Sequence, residues 1–233
     1  MKRIEYRLLL LFCLLLTSIS AQAITLSPFD VRYHVYRGNI HVANSQFSLK
    51  KEQSEWVWFM KTRPRGIYSW LTKKKPFTET RLQNDGNDYK LLLEKNGDYP
   101  KKPAKSNTWF DHANKTIYSM NGKQVSQLEL PENIYNYHSI HLLYPLMLEQ
   151  NTAQVTVYFY KKGKILEATL TLEKQVELPS KKDTMIVDKV TQVFKGSTKK
   201  MVYYYRGNTL APLKIEQIKP GKDTSVMWRV DSQ

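Results

Sequence analysis

Cysteine is nearly absent from this chain, Cys13 being the only one, so no intramolecular disulfide can hold the fold together. Long apolar runs are also missing. The longest, Leu8 to Leu16, falls short of the roughly 20 apolar residues that a membrane-spanning helix needs, and no later segment approaches that length. No G-x-S-x-G serine elbow occurs, which excludes the usual α/β-hydrolase nucleophile. No G-x-x-x-x-G-K-[ST] phosphate loop and no H-E-x-x-H zinc motif occurs either. Carboxylates are scarce, 21 Asp and Glu against 36 Lys and Arg, and none form a local catalytic pair. No motif calls for a cofactor.

What is present begins with an address. Lys2, Arg3 and Arg7 precede the apolar run, and Thr17-Ser18-Ile19-Ser20 leads to Ala21-Gln22-Ala23. Charge, apolar core and A-x-A site, in that order, predict a secretory signal cleaved after residue 23. A lipid-attachment signal at Cys13 does not fit, because Leu11-Phe12 stands where small residues are wanted. Residues 24–233 are then expected to form a single β-rich exported domain without cysteine, long enough to be held by its own core. The expected location is the periplasm, with onward secretion left open. Export argues against ATP chemistry and against nucleic acid as a partner.

The formal charge is +15; the leader accounts for +2 of it, leaving +13 on the exported domain. Such a surplus favours an anionic envelope component as partner, whether lipid, lipopolysaccharide or wall polymer, or an envelope protein. A plain solvated lysine-rich surface accounts for the same surplus without a partner.

The hydropathy period is two almost throughout. Phe29, Val31, Tyr33 and Val35 alternate with Asp30, Arg32, His34 and Tyr36, the mark of a half-buried strand. Gly38-Asn39, Asn84-Asp85-Gly86-Asn87 and Asn121-Gly122 read as hairpin turns. Strands are expected at 41–50, 55–62, 77–83, 88–95, 107–111, 116–120 and 123–128, then at 153–160, 164–177, 185–195, 199–206, 212–219 and 224–230. Residues 63–76 and 96–106 read as irregular. From Asn133 to Gln150, apolar residues recur at three- and four-residue spacing, which predicts a helix that Pro145 kinks or splits. The expected fold is mainly β: a large curved antiparallel sheet or incomplete barrel, with one kinked helix packed on a face or over the mouth.

A meander places every second turn on the same edge. If the strands of the second half pair in order, Lys161, Lys162, Lys164, Lys195, Lys199, Lys200, Lys219 and Lys222 gather on one rim. They are the candidate ligand-binding residues for an anion. The competing account is that lysine in turns and at edges merely blocks sheet-to-sheet aggregation.

Other chemistry is thin. His138 and His141 share a helical face, but a catalytic zinc needs a third protein ligand, so the expectation is a pair lining a helix–sheet interface and no metal site. No catalytic residues are assigned. Trp56, Trp58, Trp70, Trp109 and Trp228 could offer a stacking platform, yet their place on alternating strands predicts core packing.

Short patterns along the chain carry a resemblance. Tyr33-His34-Val35-Tyr36-Arg37-Gly38, Arg65-Gly66-Ile67-Tyr68-Ser69-Trp70-Leu71 with Thr78-Glu79-Thr80, Trp109-Phe110-Asp111, Leu130-Pro131 and Leu210-Ala211-Pro212-Leu213-Lys214-Ile215 resemble the exported domain-of-unknown-function 3108 family of Gram-negative bacteria. The helix start departs from that pattern at Tyr137-His138-Ser139, and the strand near Tyr89-Lys90-Leu91 lacks an expected proline. The resemblance implies a periplasmic β-rich domain with no established activity and no catalytic residues to carry over. Three functions remain in view: a non-catalytic envelope protein binding a lipid or acyl chain in a concave sheet with a basic rim, an envelope scaffold or interaction module without a cavity, and an envelope hydrolase with an unrecognised site.

Overall fold

The structure is a computed structural model; it describes residues 26–84, 89–99, 104–180 and 183–232. The expected signal at 1–23, the centre of the Asn84–Asn87 turn, and Pro100 and Pro103 lie outside the described residues.

Fifteen strands form one sheet. The first eight are β1 (Phe29–Arg37), β2 (Ile40–Glu52), β3 (Glu55–Pro64), β4 (Pro76–Asn84), β5 (Tyr89–Asp98), β6 (Ser106–Asp111), β7 (Thr116–Asn121) and β8 (Gln124–Glu129). After β9 (Ile134–Tyr135) come β10 (Gln154–Lys161), β11 (Lys164–Pro179), β12 (Thr184–Phe194), β13 (Lys200–Tyr205), β14 (Lys214–Ile218) and β15 (Ser225–Arg229). Each of the longer strands coincides with a predicted one, usually to within one or two residues, because period-two patterning between turn residues is a local signal. The neighbour order runs β8 to β1, then β15 back to β9. Two meanders are therefore joined where β1 pairs antiparallel with β15, Tyr33 opposite Arg229 and Arg37 opposite Ser225.

The expected curved, mainly antiparallel sheet with a broken helix is what forms, with two details beyond it. Residues Ile134 and Tyr135, expected as the start of the helix, form a strand parallel to β10. The helical part is confined to a 3₁₀ turn, Ser139–Leu142, leading directly into α2, Leu143–Glu149. Pro145 thus sits in the first turn of α2, where its missing N–H costs little. A second short helix, α1 (Ile67–Leu71), stands in the stretch that read as irregular.

The helical segment does not cover the sheet; it fills it. His138 stacks on Trp58 of β3, with centroids 6.0 Å apart and ring planes 12° apart. His141 packs on Phe47 of β2 and on Tyr203 and Tyr205 of β13. One short segment therefore touches strands from both meanders, which requires it to lie inside the curl. Residues Ile140, Leu142, Leu143, Tyr144 and Met147 are buried with it. A helix apolar on nearly every side belongs in a core, and this one supplies the core of an open barrel too wide to be filled by its strands alone.

The two ends of the sheet meet through side chains. Tyr160 of β10 places its hydroxyl 3.0 Å from Thr108 Oγ1 of β6 and 2.6 Å from Ser119 Oγ of β7, and accepts the Gly163 N–H at 3.1 Å. Phe110 meets the same ring edge-on. Three hydroxyls tie strands near the two ends of the curl here, and the sheet itself stays open. Tyr160→Phe removes the shared hydroxyl, leaves Thr108 and Ser119 only their 3.2 Å contact with each other and takes the acceptor from the Gly163 N–H, so it should lower the unfolding free energy by about 1 to 2 kcal/mol. Urea denaturation checks this, and a loss below about 0.5 kcal/mol, the scatter of neutral surface changes, would show that the contact does not hold the ends together.

Beyond a bulge between Glu173 and Val176, the β11–β12 hairpin swings over the outer face. Gln175 takes φ 55° there, and its N–H donates to Asp188 Oδ1 at 3.0 Å. Leu178 and Val187 of this arm bury against Leu213, with Tyr204 and Trp228 beside them.

Candidate functional site: a basic rim and a sealed polar core

The strand order decides which turns share an edge. Connections β10–β11, β12–β13 and β14–β15 lie together, so the eight lysines named from the sequence do fall on one rim. Lys161, Lys164 and Lys200 end or begin their strands there, and Lys162, Lys195, Lys199, Lys219 and Lys222 stand in the turns. Their closeness is felt at Lys199, whose ammonium pKa is lowered first by partial burial and then by Lys161, Lys219 and Lys162. They are not all free. Lys195 pairs with Glu167 at 3.2 Å, and Lys161 lies over the rings of Phe194 and Tyr137 at 5.1 and 5.6 Å.

The pairing of β1 with β15 extends this rim to the first half of the chain. The Gly38 N–H donates to Thr224 O at 3.2 Å, which fastens the β1–β2 turn to the β14–β15 turn. Alternation then brings the β3–β4, β5–β6 and β7–β8 connections to the same edge. Among the described residues these connections add Arg65, Lys73, Lys74, Lys75, Lys105 and Lys123, against Asp223 in a connection and Asp98 at the end of β5, which pairs with Lys105. The opposite edge is balanced among the described residues, with Lys115 and Arg206 against Glu132, Asp183 and Asp231. Sequence reasoning missed the first-half cations because the pairing that places them is between the two ends of the fold.

The interior holds the other concentration of chemistry. Asn136 Nδ2 donates to Thr80 Oγ1 at 2.9 Å and to Glu94 Oε2 at 2.8 Å. Its Oδ1 accepts the backbone N–H groups of His138 and Ser139 at 3.0 and 2.9 Å, so it caps the 3₁₀ turn from within. Thr80, having accepted from Asn136, turns its proton to His138 Nδ1 at 2.8 Å. Asn96 Nδ2 donates to the other Glu94 oxygen at 2.8 Å. Burial raises the Glu94 carboxyl pKa, against the lowering effect of its Asn96 and Asn136 hydrogen bonds. Burial likewise holds His138 and His141 down to about 3, with a smaller contribution at His141 from His138. Tyr205 donates to His141 Nδ1 at 2.6 Å and stacks on Tyr144, whose hydroxyl reaches Asp188 and the Gly207 carbonyl.

This cluster joins a histidine, a serine and a carboxylate, but not as a catalytic set. His138 faces Thr80 and not Ser139, whose hydroxyl donates to Asn136 Oδ1 and accepts the Asn136 N–H. Asn136, Thr80, His138, Ser139 and Glu94 are buried, Glu94 being the most exposed of the five at 8%, with half-buried Asn96 beside it. A general base needs reach to its substrate, and these side chains face one another instead. The two histidines line a helix–sheet interface as expected. Among the described residues no three His, Cys, Asp or Glu side chains gather to hold a metal ion.

Where the sequence leaves room for an acyl chain in a concave sheet, the centre of the curl is packed. Trp58, Tyr33, Tyr205, Phe159, Leu49 and His138, all fully buried, occupy the interior. A cleft of about 500 Å³ instead lies outside, where Pro179 and Ser180 of the β11–β12 arm face Tyr36, Lys214, Val226 and Trp228. The tryptophans also divide. Trp56 and Trp58 are core residues, whereas Trp109 is 42% exposed and Trp70 is 90% exposed. Among the described residues no helix is long and apolar enough to cross a membrane.

No family model matches the chain, and no curated protein does. Among solved structures, it is similar to a β-barrel-like protein of domain of unknown function DUF1849 from Brucella abortus, at a TM-score of 0.58 and 10% identity, over 89% of this chain and 97% of that one. At that identity the likeness is one of fold, and the fold is a β-barrel-like curl built on a single open sheet.

Proposed function

We propose that this protein is a non-catalytic component of the cell envelope whose basic rim docks on an anionic envelope component. The observation that carries the reading is the one-sided charge. One edge of the curl bears cations in nearly all its described connections, and the other is balanced. Lysines that merely protect edge strands would not need to crowd as they do around Lys199, whose ammonium is held down first by partial burial and then by Lys161, Lys219 and Lys162. An anion among them relieves that repulsion. Residues 1–23 support the location through their signal-like order, and the resemblance to the domain-of-unknown-function 3108 family belongs to the same proposal. The filled interior favours docking over carriage of an acyl chain, and the sealed His138 cluster gives a hydrolase no reachable group.

Lys195→Glu, Lys199→Glu and Lys200→Glu together should weaken binding to lipopolysaccharide, or to vesicles rich in phosphatidylglycerol, by at least about tenfold in low salt, each cation near an anionic surface contributing about 1 kcal/mol. Surface plasmon resonance at two salt concentrations measures it. Unchanged affinity with an intact fold would remove the rim from the function.

A further inference from the structure

The β3–β4 connection is unlike the rest of the rim. Helix α1 has no buried residue. Ile67, Trp70 and Leu71 follow i, i+3, i+4 spacing, so they share one helical face. That face is bare: Ile67 is 71%, Trp70 90% and Leu71 75% exposed. Tyr68, on the flank of the face, is only half-buried, and Ser69 Oγ folds back to the Gly66 carbonyl at 2.7 Å. Gly66 makes the projection possible. Its φ of 57° with ψ of −139° is a conformation open essentially to glycine alone.

Cations frame the apolar face on both sides. Arg63 and Arg65 precede it and Lys73, Lys74 and Lys75 follow it, all five exposed. From Trp56 to Thr78 the chain carries no carboxylate. Nothing in the described fold covers these side chains, and water is a poor solvent for three large apolar groups on one helical face.

We propose that α1 is a membrane-docking tip: Ile67, Trp70 and Leu71 enter the interfacial zone of an anionic bilayer while the flanking arginines and lysines engage its headgroups. The proposal rests on the rim reading above and narrows it from an anionic component to a lipid surface. Three arguments select lipid over a protein groove or a second copy of the chain. The first is charge complementarity, since a ring of cations around an apolar tip matches a layer of anionic headgroups above acyl chains. The second is size: one helical turn with three anchors is far smaller than the patch that a stable protein interface buries. The third is the residue type at the apex, because tryptophan prefers the boundary between headgroup and hydrocarbon. The tip also lies on the edge where the other cationic connections lie, so insertion would bring that rim toward the same surface. The sheet itself remains outside the bilayer in this arrangement.

The test compares the protein with Trp70→Ser/Leu71→Ser and with Lys195→Glu/Lys199→Glu/Lys200→Glu. Each is measured on vesicles of equal phosphatidylglycerol and phosphatidylcholine, on vesicles of phosphatidylcholine alone, and on soluble dextran sulfate. All three proteins share residues 1–25, so differences among them arise elsewhere. The serine pair should bind the anionic vesicles at least about tenfold more weakly, given what burial of a large apolar side chain contributes, yet bind dextran sulfate as before. The glutamate triple should lose both. Bromine-labelled acyl chains should quench fluorescence of the unaltered protein and not that of the serine pair. Vesicle binding unchanged in the serine pair overturns the tip. So does self-association that depends on Trp70. If the protein binds dextran sulfate but no vesicle, the tip fails while the rim reading stands; if it binds neither, both fail. Circular dichroism that matches the parent's excludes misfolding as a cause, which an exposed site makes the ordinary outcome.

Discussion

Between pH 7 and pH 5 the folded state should lose about 4 kcal/mol of stability, because His138 and His141 titrate in the unfolded chain while staying neutral in the folded one. Each imidazole is held down to about 3 when folded, against about 6.5 in the unfolded chain. A depressed folded value means the unfolded state takes up protons first as pH falls. The stabilisation is therefore complete above the unfolded value and drains away below it, down towards the folded value. At pH 5 each group is about 1.5 units below its unfolded pKa and contributes about 2 kcal/mol of loss. Glu94 works in the opposite direction. Its raised folded pKa lets the native state bind a proton that the unfolded chain binds only at lower pH, so acidification through that range returns part of the stability. Urea denaturation from pH 7.5 to pH 4.5 gives the curve, and His138→Gln with His141→Gln should flatten it above pH 5. An unchanged slope in the double variant would place the acid sensitivity elsewhere.

Asn136→Ala should be as damaging as truncating a large core side chain, costing about 4 kcal/mol. One amide satisfies Thr80, Glu94 and the N–H groups of His138 and Ser139. Removing it leaves the His138 and Ser139 N–H groups without that acceptor deep in the core, since Asn136, His138 and Ser139 are each no more than 1% exposed, while Thr80 keeps only His138 and Glu94 only Asn96. Buried groups left without partners cost far more than the net worth of the bonds they lost. A chain of this size should melt roughly 10 °C lower, at about 2–4 °C per kcal/mol. A shift under about 3 °C would mean that the segment packs by its apolar contacts alone. Asn136→Asp keeps the shape but places a second carboxylate beside Glu94, so it should recover less at pH 7 than at pH 5, where the pair can share a proton.

Both effects have one origin. A curl of fifteen strands leaves an interior that side chains from the sheet do not fill by themselves. The protein uses its own chain as filler, and a chain segment carries backbone donors that must be satisfied. Asn136 and the Thr80–His138 contact are the answer to that requirement. The cluster thus looks like a catalytic centre by composition and serves as an internal cap by geometry. Burial is the largest cause of its perturbed groups, because a charged form there loses the water that would stabilise it.

Local chemistry was enough to place the strands. Alternation around Tyr33, around Phe47 and Leu49, and along β10 to β15 is a two-residue signal bounded by turn-forming residues, and it does not depend on what the strand pairs with. The order of a meander follows from short connections, which is why the lysines at Lys161–Lys164, Lys195–Lys200 and Lys219–Lys222 could be assigned to one rim from the sequence. The composition of residues 133–150 also announced a helical segment, although its expected place is on a face or over the mouth of the sheet.

Tertiary structure alone decided the rest, each time through a contact between residues far apart in the chain. The β1–β15 ladder joins two meanders and carries Arg65, Lys73, Lys74 and Lys75 to the same rim; no local pattern encodes a pairing across nearly the whole chain. The curl determined that the helical segment would become a filling, because only curvature creates the space. It also determined that His138 would meet Thr80 and Trp58 and so lose its charge. Trp70 shows the limit most plainly. It has the same apolar chemistry as Trp58, yet one is 0% and the other 90% exposed. Hydrophobicity states what a side chain gains by leaving water, and only the fold states whether the protein itself offers it anywhere to go.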